Sequence, residues 1–166
     1  MRPGIMVDCP RCRVPAPSAG SLVRRLRLAG YQVTPPRAAV LAAVAAQSRP
    51  FTAGDLCAAV AAGAPAVGRA TVFRTLELLV TAGLLDRLYS LGPHVSYVVR
   101  GPARPPAGRP DRVLYLVCAA CNGAQEITDP GLSAALRDAA ARHAWPAEGA
   151  LVEIMGRCPA CPPPLP

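Results

Sequence analysis

Apolar residues recur at helical spacing along residues 18–83 and predict four successive helices. The first helix starts at Ser18 or Ser21, whose hydroxyls can cap it, and Gly30 is suited to ending it. The second starts after Thr34 with a proline at its first position, where the missing N–H costs no hydrogen bond. The positions predicted to be buried in these two helices are Leu22, Val23, Leu26, Ala29, Val40, Leu41 and Val44.

The third and fourth helices carry clearer start signals. Thr52 and Asp55 form a capping-box-like pair at the start of the third helix. The residues predicted to be buried in this helix are Leu56, Cys57, Ala59 and Val60. The fourth helix fills residues 68–83, between two glycines, and its inward side carries Val72, Thr75, Leu76 and Leu79. Phe73 and Arg74 therefore face outward near its start, where a recognition helix holds its base-reading residues.

The apolar and polar residues in the rest of the chain follow the patterns of several strands and one helix. Residues 84–90 and 95–99 predict a two-stranded hairpin, so the front of the chain reads as a winged helix-turn-helix domain over residues 18–100. Residues 101–110 (GPARPPAGRP) have the composition of a hinge. Behind it we predict a small α/β dimerisation domain over residues 111–161, which makes the fold class α+β. Its expected elements are strands at 112–117, 124–127 and 150–155 and a helix from Asp129 to about His143 with Leu132 and Leu136 on its buried side.

Two Cys-x2-Cys pairs lie in this rear domain. Cys118 and Cys121 are separated by 36 residues from Cys158 and Cys161. This spacing is typical of four thiolates that surround one zinc ion tetrahedrally, and such a closed site is structural and not catalytic. Two local disulfides or two unbound thiol pairs are the alternatives.

Charge is distributed unevenly along the chain. All 18 basic residues are arginine; residues 1–110 carry 14 of them against four acidic residues, a net charge of +10. Residues 111–166 carry four arginines and six acidic residues, a net charge of −2. A basic front half indicates a polyanionic partner such as DNA, although a solvated arginine surface would give the same count.

Composition also bears on the compartment. No apolar run is long enough to span a bilayer, and no signal-peptide core is visible, so a cytoplasmic location is expected. The seven cysteines then read as metal ligands or free thiols. Residues 1–17 are expected to form a flexible arm in which Cys9 and Cys12 are a weak metal signal or a thiol switch, and residues 162–166 a disordered tail.

Four motifs together carry a resemblance to a known family. They are Thr34-Pro-Pro-Arg37, Ala70-Thr-Val-Phe-Arg74, Leu116-Val-Cys-x2-Cys121 and Gly156-x-Cys-x2-Cys161. Over roughly residues 18–161 the chain resembles the ferric uptake regulator (Fur) family, and its Gly-x-Cys-Pro-Ala-Cys ending is most similar to the zinc-uptake (Zur) branch. The resemblance implies a dimer that places two recognition helices in successive major grooves of an AT-rich palindrome, with one structural zinc per chain.

The resemblance also suggests which residues meet DNA. Arg74 would contact a guanine edge or a phosphate, and Phe73 stands where the family has a tyrosine that packs on thymine methyl groups. The full set of implied DNA-binding residues is Arg24, Arg25, Arg27, Arg37, Arg69, Thr71, Phe73 and Arg74.

The family's second, metal-sensing site is altered in this sequence. That site is rich in histidine, whereas the chain has two histidines, His94 and His143. Three positions that hold ligands in the family are here occupied by the Arg112–Tyr115 tract, by Val99 or Arg100, and by Pro50.

Two interpretations follow for metal sensing. Either the regulatory site has been lost, with an arginine that locks a DNA-competent shape or reflects drift, or a remnant persists at His94, Asp111 and Glu126. His143, at a helix end, is better explained as a charge that complements the helix dipole.

The first functional hypothesis is therefore a DNA-binding transcription regulator, acting as a repressor, whose response to metal is weak, altered or absent. A thiol-based redox regulator and a zinc-stapled protein-interaction module are the alternatives. Enzyme activity on a small-molecule substrate is not expected, because the sequence has no phosphate-binding glycine loop, no Ser/His/Asp set and no open metal site.

Overall fold

The computed structural model describes residues 17–101, 112–146 and 149–162. The predicted flexible arm, the hinge and the tail lie almost entirely outside these ranges, as do Cys9 and Cys12. The elements follow in the order α1 (Ala19–Leu28), α2 (Pro35–Ala45), β1 (Phe51–Thr52), α3 (Ala53–Gly63), α4 (Arg69–Thr81), β2 (Leu85–Leu88), β3 (Ser96–Val99), β4 (Arg112–Cys118), β5 (Ala124–Ile127), α5 (Pro130–Arg142) and β6 (Ala150–Gly156). The α+β fold class is confirmed.

The predicted helix starts and stops are confirmed by the caps. The Ser18 hydroxyl accepts a hydrogen bond from the Ser21 amide at 3.2 Å, and Gly30 adopts a positive φ of 85° after α1. Thr52 and Asp55 form the complete capping box of α3. These local signals succeed because each satisfies a backbone group that the helix end leaves without a partner.

The core of the front domain (α1 to β3) contains most of the predicted apolar positions. The residues in its buried cluster include Leu22, Leu26, Val40, Leu41, Val44, Leu56, Val60, Val72, Leu76 and Leu79. Two predicted positions are wrong, because Ala29 and Ala59 are exposed. Both are small, so turning them towards solvent leaves little apolar area in water.

The sheet of the front domain has three strands, where the sequence predicted a two-stranded hairpin. Its order is β1-β3-β2, and β1 contributes only two residues, with Phe51 opposite Tyr97. The rings of this pair stack with centroids 6.1 Å apart. A two-residue strand has no periodicity of its own, and its pairing is decided by the packing of Phe51 into the core.

The rear domain (β4 to β6) is a mixed sheet of order β5-β4-β6, with β4 antiparallel to β5 and parallel to β6. The parallel strands β4 and β6 are joined by a long crossover that contains β5 and helix α5, as a parallel connection requires. The predicted burial of Leu132 and Leu136 is wrong for the single chain, since α5 contains no buried residue.

The two domains share an apolar cluster. One face of the rear sheet packs on strands β2 and β3; the buried members are Leu88, Val98, Val113, Tyr115, Val117 and Ala124. The odd-numbered residues of β4 therefore face the front domain, and the even-numbered Leu116 lies on the opposite face. None of the helices in the described ranges is long and apolar enough to cross a membrane.

Candidate metal centre and nucleic-acid interface

Two tight turns place the four rear cysteines. The first turn is closed by the Cys118 amide, which donates to the Gly123 carbonyl at 2.9 Å, and Asn122 sits in the left-handed region with φ of 54°. The second follows β6, where the Cys161 amide donates to the Cys158 carbonyl at 3.0 Å. Because β4 and β6 are parallel neighbours, both turns lie at the same end of the sheet.

The four sulfur atoms converge. Those of Cys118, Cys121, Cys158 and Cys161 all lie within 4.8 Å of one another, and the Cys118–Cys161 distance is 3.8 Å. Tetrahedral zinc with Zn–S bonds of about 2.3 Å requires sulfurs about 3.8 Å apart. None of these four cysteines forms a disulfide, so the disulfide alternative does not describe this arrangement. Three of the four cysteines are buried and Cys158 is half-buried.

Electrostatics favour thiolate at one of these positions. Burial raises the pKa of the Cys118 thiol, but amide donors at Cys158, Cys121 and Ala120 outweigh it, so the net pKa is lowered. The Cys158 amide lies 3.3 Å from the Cys118 sulfur. The pKa of Cys161 is raised, first by its hydrogen bond with Cys158 and then by burial. Four uncompensated thiolates repel one another, and a cation in their midst would remove that penalty.

The donor set therefore fits a zinc ion. When bound, zinc would cross-link the ends of β4 and β6 and supply folding free energy to a domain with a small core. Among the residues that the structure describes, no other group of three or more His, Cys, Asp or Glu side chains could hold a metal ion. Four thiolates leave no open coordination position, so the centre is structural in kind.

Helix α4 has the predicted two-sided character. Val72, Thr75, Leu76 and Leu79 are buried. On the opposite side Arg74 is exposed and Phe73 is 44% exposed. The helix starts at Gly68, and Arg69 and Thr71 lie in its first turn, exposed and half-buried respectively.

The remaining predicted DNA-binding arginines are not equivalent. Arg24 and Arg27 are exposed on α1. Arg37 is half-buried and donates a hydrogen bond to the Gln32 carbonyl. Arg25 turns inward, and its Nη1 donates to the Arg100 carbonyl at 3.4 Å. Burial lowers the pKa of Arg25, and the neighbouring positive charge of Arg100 lowers it further.

Two of the three residues of the predicted residual metal site lie within the described ranges. His94 is exposed in the wing turn, and Glu126 is half-buried on β5. Asp111 lies outside the described residues, so the remnant site stays a prediction. His143 is the C-cap residue of α5, as expected for a residue at a helix end.

Sequence reasoning missed a polar network at the boundary between the two domains. Arg100 donates from Nε and Nη2 to Asp86 Oδ1 at 2.8 and 2.6 Å, and the Tyr115 hydroxyl donates to Asp86 Oδ2 at 2.9 Å. Burial lowers the pKa of Arg100, but its hydrogen bond to Asp86 and that charge outweigh it, so the net pKa is raised. The one available signal was Asp86, an acidic residue that directly follows the apolar pair Leu84 and Leu85.

Two further contacts join the domains. The Glu153 carboxylate of β6 accepts hydrogen bonds from the amides of Tyr89 and Ser90 at 2.9 and 3.0 Å. Arg49 donates to the Cys121 carbonyl at 3.1 Å, which ties the first cysteine turn to the loop after α2.

Fold and site together define a two-domain winged-helix protein with a four-cysteine centre. The ferric uptake regulator family matches residues 28–155. The chain belongs to this family, as the sequence motifs predicted, and the family consists of transcription regulators and not of enzymes.

Solved structures agree in fold. A zinc uptake regulator complexed with zinc and DNA aligns with a TM-score of 0.73 at 22% identity, over 86% of this chain and 91% of that one. The holo form of XcZur aligns with a TM-score of 0.70 at 26% identity, over 86% and 95%. The Vibrio cholerae ferric uptake regulator aligns with a TM-score of 0.57 at 22% identity, over 82% and 98%. Comparison with curated proteins gives no match.

Proposed function

We propose that this protein is a dimeric, sequence-specific DNA-binding transcription regulator that acts as a repressor and carries one structural zinc per chain. The observation that carries the proposal is the outward face of α4, where Phe73 and Arg74 are exposed while the opposite face is buried. Family membership and the fold shared with a zinc uptake regulator bound to DNA support it.

The recognition helix has the composition that base reading requires. Arg74 offers a planar fork that matches the O6 and N7 acceptors of guanine, and Phe73 offers an apolar surface for a thymine methyl group. Thr71 lies two residues before Phe73, in the first turn of the helix. Arginines at Arg24, Arg27, Arg37 and Arg69 then neutralise phosphates on an AT-rich palindrome. Arg25 contributes by supporting the domain from inside.

Binding to DNA is expected to weaken steeply with salt. Each neutralised phosphate releases counterions, so the logarithm of the binding constant falls with the logarithm of salt concentration at about 0.9 per contact. Replacement of Arg69 with glutamine should reduce that slope by about one per bound subunit and weaken binding to all sequences alike. Fluorescence anisotropy of a labelled AT-rich palindrome at several salt concentrations measures both. Binding that does not respond to salt, or that fails on DNA altogether, contradicts the proposal.

The rear domain supplies the surface for a second copy. Strand β6 lies at the edge of its sheet, and Leu116 and Ile154 are paired neighbours on the face opposite the front domain, 39% and 44% exposed. Helix α5 buries none of its residues within the chain. An open edge with an apolar face is typical of sheets that pair across a twofold axis, and such dimers are the commonest soluble oligomers.

A charge on this face should separate the subunits. Replacement of Ile154 with aspartate is expected to shift the protein from twice the 17.2 kDa chain mass to the single-chain mass, because a carboxylate in the interface core would lose its hydration. Light scattering during size-exclusion chromatography gives the mass. Replacement of Leu28 with aspartate is the control, since this leucine is 81% exposed in the front domain. A dimeric Ile154 variant would place the interface elsewhere.

The proposed organisation follows from these parts. Residues 18–100 form the DNA-binding domain, 101–110 the hinge and 111–161 the dimerisation domain, flanked by the arm at 1–17 and the tail at 162–166. The regulatory metal site of the family is altered or absent in this chain, and a residual site at His94, Asp111 and Glu126 stays a prediction.

A further inference from the structure

A buried polar network joins the front-domain sheet of β1 to β3, which we call the wing sheet, to the rear sheet of β4 to β6. It consists of Asp86 on β2, Arg100 directly after β3 and Tyr115 on β4, and we call it the interdomain network. Asp86 is only 6% exposed, and both of its carboxylate oxygens accept hydrogen bonds, one from each domain. A buried carboxylate held this way is costly to separate from its partners, because each would be left without its hydrogen bonds.

The network lies within the apolar cluster that the two domains share. Leu88 and Val98 of the front domain pack on Val113, Val117 and Ala124 of the rear domain, around the side chain of Tyr115. Tyr115 itself is completely buried. The hydroxyl at the end of this ring therefore has a fixed position, and so does the carboxylate that it meets. Low local polarity strengthens the ion pair of Arg100 with Asp86.

The network also reaches the DNA-facing end of the front domain. The carbonyl of Arg100 accepts a hydrogen bond from Arg25 of α1, next to the exposed Arg24. At the other border of the wing sheet, Glu153 of β6 holds the amides of Tyr89 and Ser90. Strand β6 is the edge strand of the proposed dimer. Contacts at its two borders thus connect the wing sheet to helix α1 on one side and to strand β6 on the other.

The positive charge in the network is carried by a side chain of the protein, that of Arg100. The guanidinium of Arg100 compensates Asp86 and also attracts the neighbouring Glu126 carboxylate. A divalent cation that entered the contact between the two domains would be repelled by the fixed positive charge of Arg100. Within the described ranges the only group of side chains suited to a metal is the four-cysteine centre, at the end of the sheet.

We propose that the interdomain network fixes the recognition helix relative to the dimerisation domain without a metal ion, so that the zinc-loaded dimer binds DNA with an affinity independent of further metal. This inference rests on the proposed function. Arg100 and Tyr115 are positioning residues here: they do not touch DNA and act by holding the front domain in the orientation that two successive grooves require.

The test uses the full-length, zinc-loaded dimer and two readouts. Amide ¹⁵N relaxation reports whether the two domains tumble together, and anisotropy on the palindrome reports DNA affinity, first with a mild chelator that spares the structural zinc and then with added Zn(II), Fe(II) or Mn(II). The variants are Arg100→Gln, which removes the ion pair, and Tyr115→Phe, which removes one hydroxyl and keeps the packing. Arg87→Gln is the matched control, because Arg87 pairs with Glu77 inside the front domain.

The wild type should show one common tumbling time and an affinity that changes by less than about twofold with metal. Arg100→Gln should give the domains separate tumbling times and weaken DNA binding about tenfold or more, since only a fraction of molecules would hold the binding orientation. Tyr115→Phe removes the hydrogen bond by which this network crosses between the domains, so it should shift both readouts in the same direction, and Arg87→Gln should match the wild type.

Other outcomes overturn the inference in distinguishable ways. A wild type that binds DNA but gains about tenfold in affinity with one metal refutes the network's role and leaves the proposed function intact. The same holds if Arg100→Gln and Tyr115→Phe both behave as wild type in the two readouts. Absence of DNA binding by the wild type under every condition refutes the proposed function and this inference with it.

Discussion

Replacement of Cys118 with serine is expected to abolish zinc binding, unfold the rear domain and prevent dimerisation. Cys118 is 3% exposed, and its sulfur lies against both Cys161 and the Cys158 amide. A serine hydroxyl is a poor replacement for a thiolate at zinc. Structural zinc sites contribute about 10–16 kcal/mol in small domains, which equals or exceeds the whole stability of a typical domain.

The loss should propagate to DNA binding. A monomer can place one recognition helix at a time, so affinity for a palindrome should fall by about 10²–10⁴-fold when the two halves are no longer linked. Zinc content by elemental analysis, mass by light scattering and DNA binding by anisotropy are measured on the same sample. The front domain should retain its helical circular dichroism, because its core contains no cysteine of the metal centre.

Cys57 provides the matched control. It is a buried cysteine of α3, far in sequence from the four ligands, and it packs in the core of the front domain. Replacement with alanine should leave zinc content, dimerisation and DNA affinity unchanged, at a small cost in stability of about 1 kcal/mol. If Cys118→Ser retains one zinc per chain and remains a folded dimer, the proposed ligand set is wrong.

Replacement of Arg74 with alanine should weaken binding to the best palindrome by about 1–3 kcal/mol, which is roughly 5- to 150-fold. Arg74 is exposed on α4, so its loss should not change stability. A guanine contact predicts that the loss is concentrated at one base pair and disappears when that pair is changed. A phosphate contact predicts the same loss on every sequence and a shallower salt dependence. Arg142→Ala, an equal change of charge on α5, should have no comparable effect.

Phe73 allows an independent test on the same helix. Its apolar ring should contact thymine methyl groups, so Phe73→Ala should weaken binding about tenfold on thymine-containing DNA. Replacing the thymines of the site with uracil removes the methyl groups and should cost the wild type a similar factor. The Phe73→Ala variant should then be indifferent to uracil. Equal effects of uracil on both proteins would show that Phe73 does not read these methyl groups.

Local chemistry made most elements predictable. The starts of α1, α3 and α4 were visible as Ser18, the Thr52–Asp55 pair and Gly68 because caps act over three or four residues. The buried face of α4 was predicted from the helical spacing of its apolar residues, which likewise involves only residues close in sequence. Strand β1 was missed, since two residues carry no period and Phe51 pairs with Tyr97, a partner distant in sequence.

Some features of the candidate sites were predicted from the sequence and others were not. The four cysteines were predicted from spacing alone, and so was the outward position of Phe73 and Arg74. The partners of Arg25 and Arg100 were not predicted, because a guanidinium reaches across the fold and its partner is set by packing. The DNA contact expected of Arg25 stays a prediction, and the structure adds a hydrogen bond from Arg25 to the Arg100 carbonyl.

The sequence by itself thus determined the family, the helix order, the four cysteines that converge and the exposed face of α4. Each of these depends on residues that are close in the chain or on motifs with fixed spacing. Only the tertiary structure decided how the two domains meet. Asp86 lies on β2, Tyr115 lies on β4 and Arg100 follows β3. Their pairing arises because the apolar face of the rear sheet packs on the front-domain sheet and leaves one buried carboxylate to be satisfied.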